Sequence, residues 1–350
     1  MARFLTTAFV FLATISAGFA SPQKRQCQAT LDIALSVAQR LQSHYFNAAN
    51  GQYTGGSLWT DANTVEDLHN LMLARGSDDF STIGALSTIG RAALANADWA
   101  SILNGSNDDA GWIVLALWKI ADYKSSRGQD PSPYNNAASN IYNIIAGQWD
   151  NTCGGGETAI NERSPVWWST AHTYKNAITN ELFLLTSANG YLRNNNPTYL
   201  DNAQKTWNWL KASGMRNSDG LWNDGLDFNT CQNNGQRSLD ATIQRLTNNN
   251  ILKESCDNAA SGGAVCNQDQ GLWTKHLQYY LDMANDSTRT AKYSPFLGSQ
   301  TSAVFHFGTN ADNDVGSVWY APNQGGSIFT PKTSASGLEA HVSAAKYGPC

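Results

Sequence analysis

Charge is scarce in this chain. Asp, Glu, Lys and Arg make up only 15% of its 350 residues, and no run of five or more Lys/Arg occurs, which excludes a polyanionic partner held by counterion release. The balance of 23 basic against 28 acidic residues is mildly acidic, and the 41% hydrophobic content excludes a disordered chain. Neither Cys-x-x-Cys nor a paired His spacing is present, so no metal or other cofactor is expected. Gly-x-Ser-x-Gly is absent, and Gly154-Gly155-Gly156 lacks the Lys-Ser/Thr of a phosphate loop. That triplet reads either as a tight turn beside Cys153 or as backbone approaching a substrate. Repeats of fixed period and sustained strand-type alternation are also lacking. Aromatics are plentiful instead. Twelve Trp, 13 Tyr and 12 Phe exceed what a core usually takes, because each Trp keeps an N–H to satisfy, and they suggest an aromatic-lined surface.

The first residues describe a leader. Arg3 precedes an apolar run from Phe4 to Ala20, interrupted by Thr6, Thr7, Thr14 and Ser16 and closed by Gly18-Phe19-Ala20. This is a signal peptide over 1–20, too short and too broken for the roughly 20 apolar residues of a membrane span. Residues 21–25 end in Lys24-Arg25, a dibasic processing site, so the mature domain is expected over 26–350. Ala344 to Cys350 is not the apolar tail of a lipid anchor. The chain is expected to be secreted, either free or associated with a cell wall, and to be a monomer.

All six cysteines, Cys27, Cys153, Cys231, Cys256, Cys266 and Cys350, follow the leader, and an even number in an oxidising compartment reads as three disulfides. Cys256 and Cys266 are the easiest local pair, while Cys27 and Cys350 would tie the two ends together. Asn104 and Asn285 begin glycosylation sequons, whereas Asn196-Pro197-Thr198 is excluded by its proline.

Helical spacing dominates. Leu31, Ile33, Ala34, Val37, Ala38 and Leu41 share a face, as do Leu68, Leu71, Met72 and Leu73, the apolar run Ile113 to Ala121, and Ala138, Ile141, Tyr142 and Ile145. Further segments run through Ile178–Tyr191, Tyr199–Leu210, Leu239–Leu246 and Trp273–Met283, separated by Gly/Asn turns such as Asn104-Gly105-Ser106-Asn107. An all-α chain of this length is too long for a simple bundle, and a closed toroid of helical hairpins is the natural solution. Its inner helices are apolar nearly all round, like Trp112–Ala121, and its outer ones amphipathic, like Asn135–Gln148. From about residue 293 an irregular tail is expected to wrap the barrel before a last helix, Ser336–Lys346.

Asp108 and Asp109 stand at the mouth of the most apolar helix. One aspartate there is ordinary capping; two exceed what capping needs. Inside an aromatic cleft, mutual repulsion and desolvation raise the pKa of one while the helix N-terminus keeps the other ionised, giving an acid beside a nucleophile. Adjacent residues have Cα atoms about 3.8 Å apart, and their carboxyls reach the roughly 5–5.5 Å of retaining glycosidases more readily than the wider spacing of inverting ones. Asp78-Asp79 is the same dipeptide elsewhere in the chain and shows that the pair alone is a weak signal. Trp112, Trp118, Trp149, Trp167 and Trp168 give Asp108-Asp109 its company, although Trp112 also fits a core and Trp118 fits one better. Glu66-Asp67 and Glu181 are either buried partners or solvated faces, and His172 reads as structural.

These residues resemble glycoside hydrolase family 76, in its fungal endo-α-1,6-mannanase branch. The likeness rests on Leu58-Trp59-Thr60-Asp61-Ala62-Asn63 with Glu66-Asp67-Leu68, on Asn107-Asp108-Asp109-Ala110-Gly111-Trp112, and on Trp149-Asp150 before Cys153 and its glycines. It continues through Trp167-Trp168, Tyr174-Lys175-Asn176 to Phe183, and Gly220 to Leu226. The resemblance implies an (α/α)6 barrel and retaining hydrolysis of α-1,6-linked mannan or a mannoprotein glycan. Asp108 would be the nucleophile and Asp109 the acid/base, with Asn63, Trp112, Trp167, Trp168, Tyr174, Lys175, Asn176 and Asp224 binding substrate. A wall-remodelling transglycosidase and a non-catalytic mannan-binding protein are the alternatives. The chain departs from the family pattern by inserting Glu157–Pro165 and by replacing Phe-Lys-Gly with Leu272-Trp273-Thr274 beyond Gly271. It also omits, after Gln236, about one helical hairpin, roughly 30 residues.

Overall fold

The computed structural model describes residues 26–150, 166–215, 225–227, 233–234, 243, 246–253, 270–322 and 327–350. The leader, the short propeptide, Cys153, Cys231, Cys256, Cys266, Asp224, the 157–165 insertion and the stretch following Gln236 lie outside these residues. The described helices are α1 (Gln28–Tyr45), α2 (Leu58–Arg75), three short turns α3 (Ile83–Leu86), α4 (Thr88–Leu94) and α5 (Trp99–Leu103), then α6 (Asn107–Ser126) and α7 (Ser132–Ala146). They continue with α8 (Ala177–Asn194), α9 (Pro197–Ala212), α10 (Gln270–Ala284), α11 (Ser287–Ala303) and α12 (Pro331–Tyr347). Each segment expected from spacing is helical, apart from Leu239–Leu246, most of which is outside the described residues.

Local chemistry sets the ends. A Ser57/Thr60 capping box opens α2 and a left-handed Gly76, φ 65°, closes it. Asn176 caps α8 by accepting the Thr179 N–H. Thr330 and Thr333 form a second box around Pro331, so α12 starts at Pro331 rather than at Ser336. The tail also departs from expectation. Helix α11 carries Pro295 in its interior and still runs to Ala303, because Tyr293, Phe296, Leu297, Gln300 and Ala303 are buried and hold it. The irregular wrap begins with the π-helical turn Val304–Gly308, not near 293.

The helices form the expected toroid. Helices α2, α6, α8, α10 and α12 make the inner wall, with α12 against α2, α2 against α6, α6 against α8, and α10 against α12. Helix α1 covers α12 and α2, α7 covers α6, α9 covers α8, and α11 covers α12 and α10. In α6 the whole run Ala110–Trp118 is buried, whereas α7 turns Asn136, Asn140 and Asn143 to solvent. Small antiparallel ladders of two or three residues edge the barrel, among them β1 (Phe46–Asn47) with β2 (Gln52–Tyr53), and β3 (Tyr174–Asn176) with β4 (Gly225–Asp227). They are too short to leave an alternating pattern in sequence. Cys27 and Cys350 are bonded, with Cα atoms 5.1 Å apart, and close the chain end to end. Among the described residues no helix is long and apolar enough to cross a membrane.

A polar knot lies inside the inner wall. The Lys275 ammonium of α10 donates to Asn63 Oδ1 at 2.8 Å, Asp67 Oδ1 at 2.7 Å and Glu66 Oε2 at 3.1 Å, all on α2. Tyr279 donates to Glu66 Oε1 at 2.6 Å, and Asn70 donates both to Tyr279 and to Glu339 of α12. Burial would raise Glu66, but the Lys275 and Lys119 ammonium groups outweigh it and hold this carboxyl below its ordinary value. Burial, reinforced by Glu339, pushes Asp67 well above its own despite Lys275, and burial raises Glu339 as well. The two carboxyls therefore resist being ionised together. Lys275→Met would remove the cation that pairs directly with Glu66 and Asp67, leaving Glu66 only the more distant Lys119, and is expected to cost about 3–5 kcal/mol in chemical denaturation. Lys205→Met, which removes only a surface pair with Asp201, should leave the midpoint almost unchanged.

Candidate active site

The start of α6 is held by a loop some sixty residues further along the chain. Asn107 receives nothing from a neighbouring turn; its N–H donates to the Trp168 carbonyl at 2.9 Å and its side-chain amide to the Trp167 carbonyl at 2.8 Å. Ser106 bridges Ser169, and the Thr170 N–H reaches the Gly105 carbonyl at 2.9 Å. Gly105 sits at φ 81° with Thr170 Oγ1 only 2.3 Å from where a Cβ would stand, so this turn takes no side chain. At Gly111 a Cβ would lie 2.9 Å from Leu182, which lets α6 approach α8. The helix mouth is thus fixed from both sides.

Asp108 and Asp109 occupy this mouth, both half-buried. Asp108 Oδ1 accepts the Ser106 hydroxyl at 2.8 Å. Burial, and then the adjacent Asp108 charge, push Asp109 up to about 6 against the opposing Ser106 hydrogen bond. The other dipeptide behaves differently. Asp78 accepts the Tyr123 hydroxyl at 2.6 Å and Arg127 at 2.7 Å and is held below its ordinary value, and Asp79 accepts Ser77. Same residues, opposite environments: one pair is consumed by surface partners, while in the other burial raises a carboxyl to about 6.

The remaining sequence candidates fall into two groups. Trp168, 41% exposed, and half-buried Tyr174, whose ring meets it edge-on at 6.3 Å, border the open side of the dyad loop. Asn63, Trp112, Trp167, Lys175 and Asn176 are buried. Asn63 accepts Lys275 and donates to the Trp59 carbonyl. Lys175 pairs with Asp150 at 2.8 Å and lies 4.1 Å above the Trp167 ring, on which His172 stacks. Trp112 lies between Trp59 and His276, with centroids 6.3 and 5.6 Å away. Trp118 is buried, as a core residue would be, and Glu66-Asp67 are the buried partners of Lys275. Asn104 and Asn285 are exposed in left-handed turns, φ 47° and 43°.

Two further carboxyls belong to the inner wall: Asp61, and Glu181, which reads in sequence as either a buried partner or a solvated face. Asp61, in the first turn of α2, accepts the Tyr53 N–H at 3.1 Å and is pushed up to about 6 by burial. Glu181, one turn into α8, is pushed up to about 7 by burial, and among the described residues it makes no hydrogen bond or ion pair. Their signal was their place in the Trp59–Asn63 and Lys175–Phe183 stretches, not their type.

A dyad at the start of an inner helix of a helical toroid can be compared with known proteins. The model of Glycosyl hydrolase family 76 matches residues 31–239. The chain belongs to that family. Among relatives of the family 76 chain, the mannan endo-1,6-alpha-mannosidase DCW1 of Eremothecium gossypii is 23% identical over 269 residues, covering 73% of this chain and 56% of its own length. The DCW1 of Candida albicans is 26% identical over 139 residues, or 38% and 29% of the two chains. The family 76 chain spans no more than 57% of the length of any of these curated relatives. Its fold resembles an inactive variant of the alpha-1,6-mannanase GH76A of Salegentibacter sp. HEL1_6 in complex with alpha-1,6-mannotriose, in which two consecutive aspartates are asparagine. That likeness has TM-score 0.70 and 15% identity, over 90% of this chain and 99% of that one. Dfg5 from Chaetomium thermophilum in complex with glucosamine gives TM-score 0.73 and 14% identity, over 91% and 90%.

Because folded Asp109 binds its proton more tightly than an unfolded aspartate near 3.8 does, its charge weakens the fold above about pH 6, and the penalty vanishes below about pH 4. Asp109→Asn is expected to raise stability by about 1 kcal/mol at pH 7.5, after allowance for the water that reaches the group. Denaturant melts at pH 7.5 and pH 4 should show that gain at the first and none at the second.

Proposed function

We propose that this family 76 chain hydrolyses internal α-1,6-mannosidic bonds of mannan with retention of configuration. The observation that carries the reading is the adjacent pair at the mouth of α6 in which Asp109 is held near 6 while Asp108 stands beside it. In the first step the Asp108 carboxylate attacks the anomeric carbon as Asp109 passes its proton to the departing glycosidic oxygen. In the second, Asp109 takes a proton from water, which displaces Asp108 and frees the sugar. Adjacent positions on one helix suit the short separation this double displacement needs.

Trp168 and Tyr174 offer ring faces and edges to sugar C–H groups on the open side, and Asp224 adds a polar contact. Asn63, Trp112, Trp167, Lys175 and Asn176 hold the cleft from behind. The leader, the cysteines and the two sequons support a secreted, disulfide-bonded glycoprotein that meets mannan or mannoprotein glycan outside the cell or in its wall. No contact with a second copy enters the mechanism, so a monomer suffices.

Incubating purified protein with linear α-1,6-mannan and sizing the products tests the reading. Shorter oligomers released first as the α-anomer support it. Elongated oligomers mark a transglycosidase, and binding without change marks a non-catalytic wall protein. Asp108→Asn and Asp109→Asn should each lower the cleavage rate by about 10²–10⁴-fold. The wild-type rate should fall on an alkaline limb near pH 6, where Asp109 loses its proton. Cleavage that survives both substitutions would refute the dyad.

A further inference from the structure

A second cavity, of about 420 Å3, lies where the C-terminal halves of α6, α8 and α10 converge. That volume is within the roughly 300–1,000 Å3 of small-molecule sites. It is closed off from the dyad by aromatic rings in succession: Trp59 meets Trp112, Trp112 meets His276 at 5.6 Å, and His276 meets Tyr279 at 6.0 Å. Neither Asp108 nor Asp109 lines it.

The cavity's charges are nearly all satisfied by neighbours. Glu66 is bound by Lys275, Asp122 by Arg193 at 2.6 Å, and Asp282 by Lys346 at 2.7 Å. Lys119 is the exception among the described residues. Its ammonium lies 4.5 Å from the Tyr279 centroid but reaches no hydrogen-bond acceptor. Glu66 and Asp122 attract it from a distance, while burial lowers its pKa. His276 and Asn189 line the same space and also make no hydrogen bond to a described residue. Lys119 is half-buried, so its ammonium faces the cavity and is accessible to an anionic partner entering it.

The missing partner has a definable chemistry. A cation is disfavoured, because Lys119 and Arg193 already cover the Tyr279 and Trp118 rings. A dianion is disfavoured as well, because one unpaired ammonium would have to meet it among the carboxylates of Glu66, Asp122 and Asp282. Leu115, Leu185 and Met283 supply apolar wall. We propose that this cavity binds an organic monocarboxylate with an apolar body, the carboxylate paired with Lys119 and the body against Leu115, Leu185 and Met283.

Titration calorimetry of the intact mature protein with benzoate, and with the neutral isostere benzamide, tests this at pH 7. One saturable benzoate site is expected, with benzamide weaker by about 10–100-fold, the worth of a charge-assisted hydrogen bond. Lys119→Met should lose the same factor while keeping the wild-type circular dichroism; its melting temperature is expected to fall, because Lys119 also helps to hold the Glu66 charge. Leu185→Trp, which fills the space and leaves the ammonium in place, should abolish binding. Asp108→Asn should leave it unchanged. Equal affinity for benzamide, no saturable site, a folded Lys119→Met that binds normally, or displacement of benzoate by α-1,6-mannotriose would each overturn the proposal. If Lys119→Met does not fold, Leu185→Trp decides alone, and retained binding there refutes it.

Discussion

Lys275 carries a full charge at a place that water does not reach, and the closure of the ring depends on how that charge is met. Its acceptors Asn63, Glu66 and Asp67 all belong to α2, and Asn70 carries the chain of hydrogen bonds on to Glu339 of α12. Three inner helices are therefore locked in register by one ammonium. Apolar faces tolerate sliding, since burial is non-directional. A slip of one helical turn would strip Lys275 of every acceptor and cost far more than a mispacked leucine. The aliphatic core between the rings supplies most of the driving force, and the knot selects which closed arrangement that force produces.

The dyad is fixed by a different device. Its helix mouth is organised not by its own turn but by the Trp167 and Trp168 carbonyls, brought across from a loop remote in sequence. That arrangement leaves Asp108 and Asp109 without the arginine and tyrosine partners that tie down Asp78. A carboxyl whose pKa burial raises is a destabilised carboxylate, so the charge of Asp109 costs the fold stability. Trp168 stays exposed for the same reason that Trp167 is buried: the strand-like exchange with Tyr174, whose carbonyl accepts the Trp168 N–H at 2.9 Å, turns successive residues to opposite sides.

Much of this was legible in the sequence. The apolar run through α6 and the half-polar pattern of α7 gave inner and outer helices directly, whereas the bond between the end cysteines was one possibility among fifteen pairings until the fold placed them together. Asp108-Asp109 stood out only in the company of aromatics, because a dipeptide carries no information about its surroundings. Buried ion networks escaped for the same reason. Glu66 and Asp67 look like a solvated face until Lys275, over two hundred residues away, is placed against them. The α11 boundary was misjudged because Pro295 weighs on the local hydrogen bond, whereas the helix is held by the burial of Tyr293, Phe296 and Leu297, a tertiary effect that propensity does not contain. The short strands escaped because two or three residues cannot display a period.

The bond between Cys27 and Cys350 brings the first and last described helices together, and the Cys27 N–H also donates to the Ala345 carbonyl at 2.9 Å. Between these two cysteines the chain is a covalent ring rather than a line, so the helices at its two ends cannot fray apart from each other. It also makes the order of the helices along the gene a matter of convention. A coding sequence joined at these two ends and opened in a connection elsewhere would describe the same ring of helices, beginning from a different one.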